Sequence, residues 1–372
     1  MKSAFKIIAV VLAALALLVV VGAGAGLGLR AWRQHQAEKI LALDGPNAIR
    51  DGRYIKIGGV PQWISIRGEN RKNPVILFVH GGPGAAQSGL STIYRSLERD
   101  FTVVQWDQRG AGLTFAAGVP LPPNLSQERM TADGIEVAEY VRRALGVSKV
   151  IIVGHSWGSV LGVHMVKARP DLFSAYVGTG QVVKTADTMT TMYEDTLARA
   201  RASGDSNTVQ VLEANGRWPF SKREQFSTLI ATRNNYFIPA DAKFLGLGAS
   251  SNFGRIINSP DLSLGQAISS MRAIMLTAGS LDFVFRPLAQ ADLPALGYAF
   301  PIPFFLLEGD DDRFTYTTLA KAYYDHVNAP HKEMVLIPGG HFAVMTNPAA
   351  FREALLSRVR PVALDWERRS PN

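Results

Sequence analysis

Residues 153–160 read VGHSWGSV, and the role of Ser156 decides the fold. A serine at a strand-to-helix turn serves equally well as a helix N-cap or as an exposed nucleophile, and glycines belong to tight turns in either case. The neighbours supply the context. The apolar run VIIV (150–153) enters the motif, and residues 159–168 leave it with helical spacing. G-x-S-x-G between a strand and a helix is the setting in which a sharp turn lifts a serine hydroxyl clear of the carboxyl edge of a sheet. Gly154 and Gly158 fit that turn, where larger side chains would collide.

Further apolar runs extend the pattern in both directions: 75–79 (VILFV), 101–106 (FTVVQW), 175–178 (AYVG), 303–307 (PFFLL) and 334–337 (MVLI). Short, nearly continuous apolar runs are expected of strands buried on both faces of a parallel sheet. Residues 88–99, 130–145, 159–168, 317–326 and 349–359 carry helical spacing between or after them. Ahead of them, 53–67 (RYIKIGGVPQWISIR) alternates around two glycines as a β-hairpin does. The alternation predicts an α/β fold with a mostly parallel, doubly wound sheet and an antiparallel edge. Residues 182–296 interrupt it with polar, helix-like stretches such as 189–203 and 221–231. We read them as a helical cap over the site, the alternative being a helical layer that touches no substrate.

The composition allows a large core: 372 residues, 47% hydrophobic and 19% charged, with a formal charge of +8. Lys and Arg are scattered without a basic run interleaved with aromatics, so nucleic acid is not an expected partner. Cysteine is absent, which excludes disulfides, thiolate metal sites and cysteine nucleophiles. Residues 7–29 (IIAVVLAALALLVVVGAGAGLGL) hold no charge and lie between Lys2 and Lys6 on one side and Arg30 and Arg33 on the other. That length suffices for a transmembrane helix. The competing reading is a cleaved signal peptide, with Ala23-Gly24-Ala25 as the small-x-small site and a secreted product. Because a large domain follows, the expected placement is extracytoplasmic, a periplasmic domain on a single-pass anchor. The chain therefore divides into an anchor or signal segment (1–30), a polar linker (31–50), a first core part (51–181), the cap (182–296) and a second core part (297–372).

A nucleophilic serine needs a base. Of seven histidines, His341 in PGGH directly follows the last strand, where a doubly wound fold gathers its site. The partner carboxylate is expected after PFFLL, in EGDDD, with Asp310, Asp311 and Asp312 as candidates. In FVHGGPG (78–84), a glycine-rich turn after a strand leaves backbone N–H groups free to face an anion. Gly82 on that turn and the N–H of Trp157 make the expected oxyanion hole. Neither a Walker pattern nor G-x-G-x-x-G is present, paired metal ligands are lacking, and no cofactor is required.

HGGPG (80–84), WDQRGAG (106–112) and GHSWGS (154–159), followed by GDDD (309–312) and GGH (339–341), together resemble the α/β-hydrolases of the prolyl aminopeptidase (proline iminopeptidase) type. The likeness runs in order over about residues 52–359. It implies an α/β-hydrolase fold with a helical cap and a triad in the order Ser156, Asp312, His341, the family's G-x-x-D pattern selecting Asp312 among the three acids. It also implies that Asp107 and Arg109 hold the loop near the site. The expected activity is that of a serine hydrolase, first an aminopeptidase acting on short peptides. The alternatives are a carboxylesterase or lactonase using the same triad, or a catalytically silent, membrane-tethered binding protein. Epoxide hydrolases and haloalkane dehalogenases are disfavoured, since they place an aspartate where Ser156 stands. The cap lacks the W-x-x-W-E stretch of that family. Asp187, Glu194, Glu213 and Glu224 are its candidate amine-binding acids, each also readable as a solvated helix charge. Small molecules or short peptides are the expected substrates, and the oligomeric state is not readable.

Overall fold

The computed structural model describes residues 2–122, 124–246, 248–277 and 290–369. Eight strands form one sheet: β1 (Ile49–Ile57), β2 (Val60–Gly68), β3 (Val75–Val79), β4 (Thr102–Asp107), β5 (Val150–His155), β6 (Phe173–Thr179), β7 (Phe304–Gly309) and β8 (Lys332–Ile337). Their order is β1-β2-β4-β3-β5-β6-β7-β8. The β1–β2 hairpin and the β2–β4 pair are antiparallel, and all pairs from β4 to β8 are parallel.

Every residue of β3, β4, β5, β6 and β7 is buried, as their unbroken apolar runs require. The strand period of two splits them between two cores. Leu77, Val79, Val104 and Trp106 pack on one face of the sheet, and Ile76, Phe78, Val103, Ile151 and Val153 on the other. Helices Gln127–Leu145 and Trp157–Ala168 contribute Val137, Val141, Leu161 and Val163 to the first face. Crossovers between parallel strands place helices in this way on a sheet's faces, which aligns the carboxyl ends of β3, β5, β7 and β8 along one edge.

Between β6 and β7 the described residues form no further named strand. They form the helices Thr185–Ser203, Ser206–Asn215, Arg223–Asn234, Pro239–Leu245, Asn252–Ile257 and Leu264–Leu276. The first three share a small core of their own, built on Met192, Tyr193, Leu212 and Leu229. An antiparallel bridge between Lys184 and Asp292 joins the start of this segment to its return.

Two stretches differ from the sequence reading. Residues 88–99 form short helical turns, Ser88–Leu90, Ser91–Tyr94 and Leu97–Arg99. Leu90, Ile93, Tyr94 and Leu97 are all buried, and even Glu98 is 1% exposed because it is paired with Arg67. The segment has too little polar face for a surface helix, so packing sets its path. The part of 31–50 that reads as linker is helical as far as Ile40, continuing the helix Lys2–Ile40. Its end is held by Arg30, which donates to the carbonyls of Ile257 (2.8 Å) and Leu262 (2.7 Å), and by Gln34, which donates to Ser259 (2.7 Å). The apolar part is long enough to cross a membrane by length and composition, and none of its most apolar window is buried among the described residues.

Candidate active site

Strand β5 ends at His155 and a helix starts at Trp157, so the chain must reverse within Ser156 alone. Ser156 takes φ 53° and ψ −125°, a conformation that strains any residue with a side chain. Close approach explains both glycines. A Cβ on Gly154 would strike the carbonyl of Gly158, and one on Gly158 would strike the carbonyl of Val79 on β3. The turn is pinned by the Ser156 N–H donating to the Thr179 carbonyl at 2.9 Å. On its other side, the Ser159 hydroxyl donates to the Ser156 carbonyl at 2.6 Å. The Ser156 side chain lines a cavity of about 550 Å³ between sheet edge and cap.

His341 lines the same cavity, on the loop after β8. Its Nδ1 lies 2.8 Å from Oδ2 of Asp312, beyond the end of β7. Asp312 is 3% exposed. Burial works to raise its carboxyl. The charge and hydrogen bond of His341, with the N–H groups of Thr315 and Phe314, outweigh burial and hold it at about 2. The Thr315 hydroxyl donates to Oδ2 at 2.8 Å, while the Phe314 and Thr315 N–H groups reach Oδ1 at 2.7 and 3.0 Å. The other two acids are employed elsewhere: Asp310 accepts from the Gly339 N–H at 2.9 Å and Asp311 pairs with Arg313. Of the three adjacent aspartates, Asp312 is the one that reaches the imidazole.

The glycine-rich turn after β3 lies against the elbow. A Cβ on Gly81 would come within 3.0 Å of the Ser156 Cβ, and Gly82 has φ +109°, which glycine adopts without strain. Trp157 is the first residue of its helix, so its N–H has no intrahelical acceptor. Gln108 ties the two pieces together. Its N–H donates to His80 Nε2 (3.1 Å), its side-chain amide donates to the His80 carbonyl (3.0 Å), and its Oε1 accepts from the Trp157 indole (3.3 Å). His80 is buried, which lowers it to about 4 and leaves it neutral. Asp107 accepts from the Ser88 hydroxyl and the Leu113 N–H, both at 2.7 Å, and burial pushes it up to about 7. Arg109 pairs with Asp133 and donates to the Gly58 carbonyl at 2.8 Å, so it anchors the β1–β2 hairpin turn.

The structure takes the cap acids away from the site. Glu194 pairs with Arg217 and Glu213 with Arg201 on the surface, and Asp187 and Glu224 are exposed. No aspartate or glutamate among the described residues lines the cavity. Three residues that the sequence reading did not single out stand close to the site. Asp241 of the helix Pro239–Leu245 accepts from the N–H groups of His341 (2.9 Å) and Phe342 (3.2 Å). Burial pushes its carboxyl up, against the His341 charge and these two donors. Glu308, buried on β7, accepts from the Gln181 N–H at 3.0 Å, and burial raises it well above its ordinary range. Arg233 faces the cavity from the cap. Among the described residues, no group of three or more His, Cys, Asp or Glu could hold a metal ion.

Sheet order, elbow and acid–histidine pair together define an α/β hydrolase. The chain belongs to the alpha/beta hydrolase fold family, whose model matches residues 74–348. Proteins named as aminopeptidases are among its relatives. It is 27% identical over 318 residues to the probable aminopeptidase YbaC of Bacillus subtilis (strain 168), covering 83% of this chain and 96% of that one. It is 29% identical over 128 residues to the proline iminopeptidase of Clostridioides difficile (strain 630), covering 33% of this chain and 41% of that protein. Among solved structures, the proline iminopeptidase of Mycobacterium smegmatis superposes with a TM-score of 0.58 at 16% identity, covering 85% of this chain and 99% of its own. A membrane phospholipase A described as a bacterial virulence factor superposes at 0.55 and 16% identity, covering 94% of this chain and 98% of its own.

Proposed function

We propose that the protein is a serine hydrolase that works through an acyl-enzyme, with Ser156 as nucleophile, His341 as base and Asp312 as the acid that orients it. The observation that carries this reading is that His341, which lines one cavity with the strained Ser156, has its Nδ1 2.8 Å from a buried, ionised Asp312 behind it. With Nδ1 donating to Asp312, Nε2 is left to accept the serine proton. Ser156 Oγ then attacks an acyl carbonyl, and the N–H groups of Trp157 and Gly82 face the developing oxyanion. The imidazolium, stabilised by Asp312, returns its proton to the leaving amine or alcohol. Water repeats the cycle on the ester and releases the acid. His341, Asp312 and the backbone donors account for these steps without a cofactor.

The substrate class we propose is a short peptide cleaved at its N-terminal residue. The likeness to a probable aminopeptidase over most of both chains supports it. A second reading, a carboxylesterase or lactonase, is favoured by the absence of any carboxylate among the described cavity residues, which leaves a free amine without a partner. We also propose that residues 7–29 anchor the protein in a membrane with the catalytic domain on the extracytoplasmic side, and that 182–296 is the cap over a core formed by 51–181 and 297–372. The test uses the full chain in detergent on alanyl and prolyl arylamides beside short-chain nitrophenyl esters, with Ser156→Ala as control. Arylamide cleavage lost in Ser156→Ala supports the aminopeptidase. Ester cleavage alone selects the second reading, and activity surviving in Ser156→Ala refutes both.

A further inference from the structure

Arg233 sits on the cap helix Arg223–Asn234, whose Phe226, Ile230 and Asn234 line the cavity with it. It is 5% exposed, yet among the described residues its Nε and Nη1 meet no acceptor and it forms no ion pair with a carboxylate. A buried cation is ordinarily paired, because desolvation favours the neutral form and a guanidinium does not give up its proton. Burial lowers Arg233 only to about 10, so it stays charged at neutral pH. The nearest acids are already engaged: Asp312 by His341 and Thr315, Asp241 by the backbone of His341 and Phe342.

What Arg233 does touch is aromatic. Its guanidinium lies 3.7 Å from the ring centre of Phe314 and 4.6 Å from that of Phe237. Such contacts use the faces of the planar group and leave the N–H donors of its edge free, in the fork geometry that matches a carboxylate. Phe314 is in turn stacked on the His341 imidazole, with 4.7 Å between ring centres. The unpaired fork is therefore one aromatic ring away from the histidine that, under the serine-hydrolase reading, hands its proton to the leaving group.

We infer that Arg233 is a substrate-binding residue that takes a carboxylate on the leaving-group half of the substrate. This rests on the serine-hydrolase reading. Under the aminopeptidase reading, the carboxylate is the free C-terminus of a dipeptide or another very short peptide. Under the esterase reading, it belongs to a hydroxy-acid alcohol. In either case the arginine replaces recognition of an amine by cap acids with recognition of an anion.

The test compares two matched pairs: L-alanyl-L-alanine against its C-terminal amide, and 4-acetoxybenzoate against its methyl ester. Each is assayed with the full-length enzyme, Arg233→Gln and Arg233→Lys. The expected result is a preference for the carboxylate member in at least one pair, appearing mainly in KM. It should fall at least tenfold in Arg233→Gln and recover in part in Arg233→Lys. A merely structural arginine would lower both members alike, so an unchanged ratio with Ser156-dependent turnover overturns the inference and leaves the hydrolase standing. A preference in the ester pair without peptide cleavage keeps the inference and discards the aminopeptidase. If neither pair is turned over, or Arg233→Gln does not fold, calorimetry on Ser156→Ala decides. Binding of 4-acetoxybenzoate at least tenfold tighter than its methyl ester supports the inference, and equal affinity refutes it.

Discussion

Asp241→Asn tests whether the cap holds His341, the proposed base, in place. The carboxylate of Asp241 accepts the backbone N–H of His341 through one oxygen and that of Phe342 through the other, at 2.9 and 3.2 Å, and is 2% exposed. An asparagine keeps one acceptor and turns an NH2 toward the second N–H, so one charge-assisted hydrogen bond is lost and two donors face each other in a dry site. Losing a hydrogen bond to a charged group costs about 1.5–3 kcal/mol. With an unfolding entropy of about 2.1 cal/mol/K per residue over 372 residues, each kcal/mol is worth about 1.3 °C, so the melting temperature should fall by about 2–4 °C. The catalytic effect follows from position, because the disturbed backbone carries the imidazole. A displacement near 1 Å costs on the order of 10²-fold, so kcat should fall by about 10- to 100-fold with a smaller change in KM. The assay is ester or arylamide hydrolysis read beside thermal unfolding, with a surface cap acid such as Glu213→Gln as control. Wild-type kcat and melting temperature in Asp241→Asn would refute the clamp.

Asp312→Asn should lower kcat by about 10³- to 10⁴-fold by fixing the wrong histidine tautomer, while Asp310→Asn and Asp311→Asn stay within a few-fold of wild type. Equal losses in all three, measured as kcat/KM, would refute the assignment of the acid. Asp107 gives a pH dependence. Its carboxyl holds a proton up to about 7 in the fold, whereas an unfolded aspartate ionises near 4, so its contribution to stability is complete below about pH 4 and lost as pH rises through 7. Thermal unfolding of Asp107→Asn from pH 5 to 8 should therefore show less loss toward alkaline pH than the wild type, and parallel curves would contradict the buried proton.

The parts of the site that lie next to one another in the chain were the legible ones. Gly154 and Gly158 announce the elbow because a single-residue reversal leaves no room for a Cβ, and His341 is marked by its place after the last apolar run. Asp312 was harder. Three consecutive acids carry the same signal, and only the folded loop shows that Asp310 and Asp311 have other partners. Asp241 and Arg233 were not singled out because each looks like an ordinary charge on a polar helix. Their partners, His341 and Phe314, lie 100 and 81 residues away, and helical periodicity carries no information about such a contact. The segment 88–99 misled for the opposite reason: its apolar spacing fits a helix, while burial on several sides breaks it into separate turns. The continuation of the first helix to Ile40 was hidden in a polar stretch, since what holds it is a set of carbonyls from the cap.

The central claim is that Ser156 is an activated nucleophile, and a fluorophosphonate probe tests it most directly. The full-length protein should take up one equivalent, and peptide mass mapping should place the adduct on Ser156, with labelling lost in Ser156→Ala and strongly slowed in His341→Ala. An intact, folded protein that takes no label, or an adduct on another residue, would contradict the account.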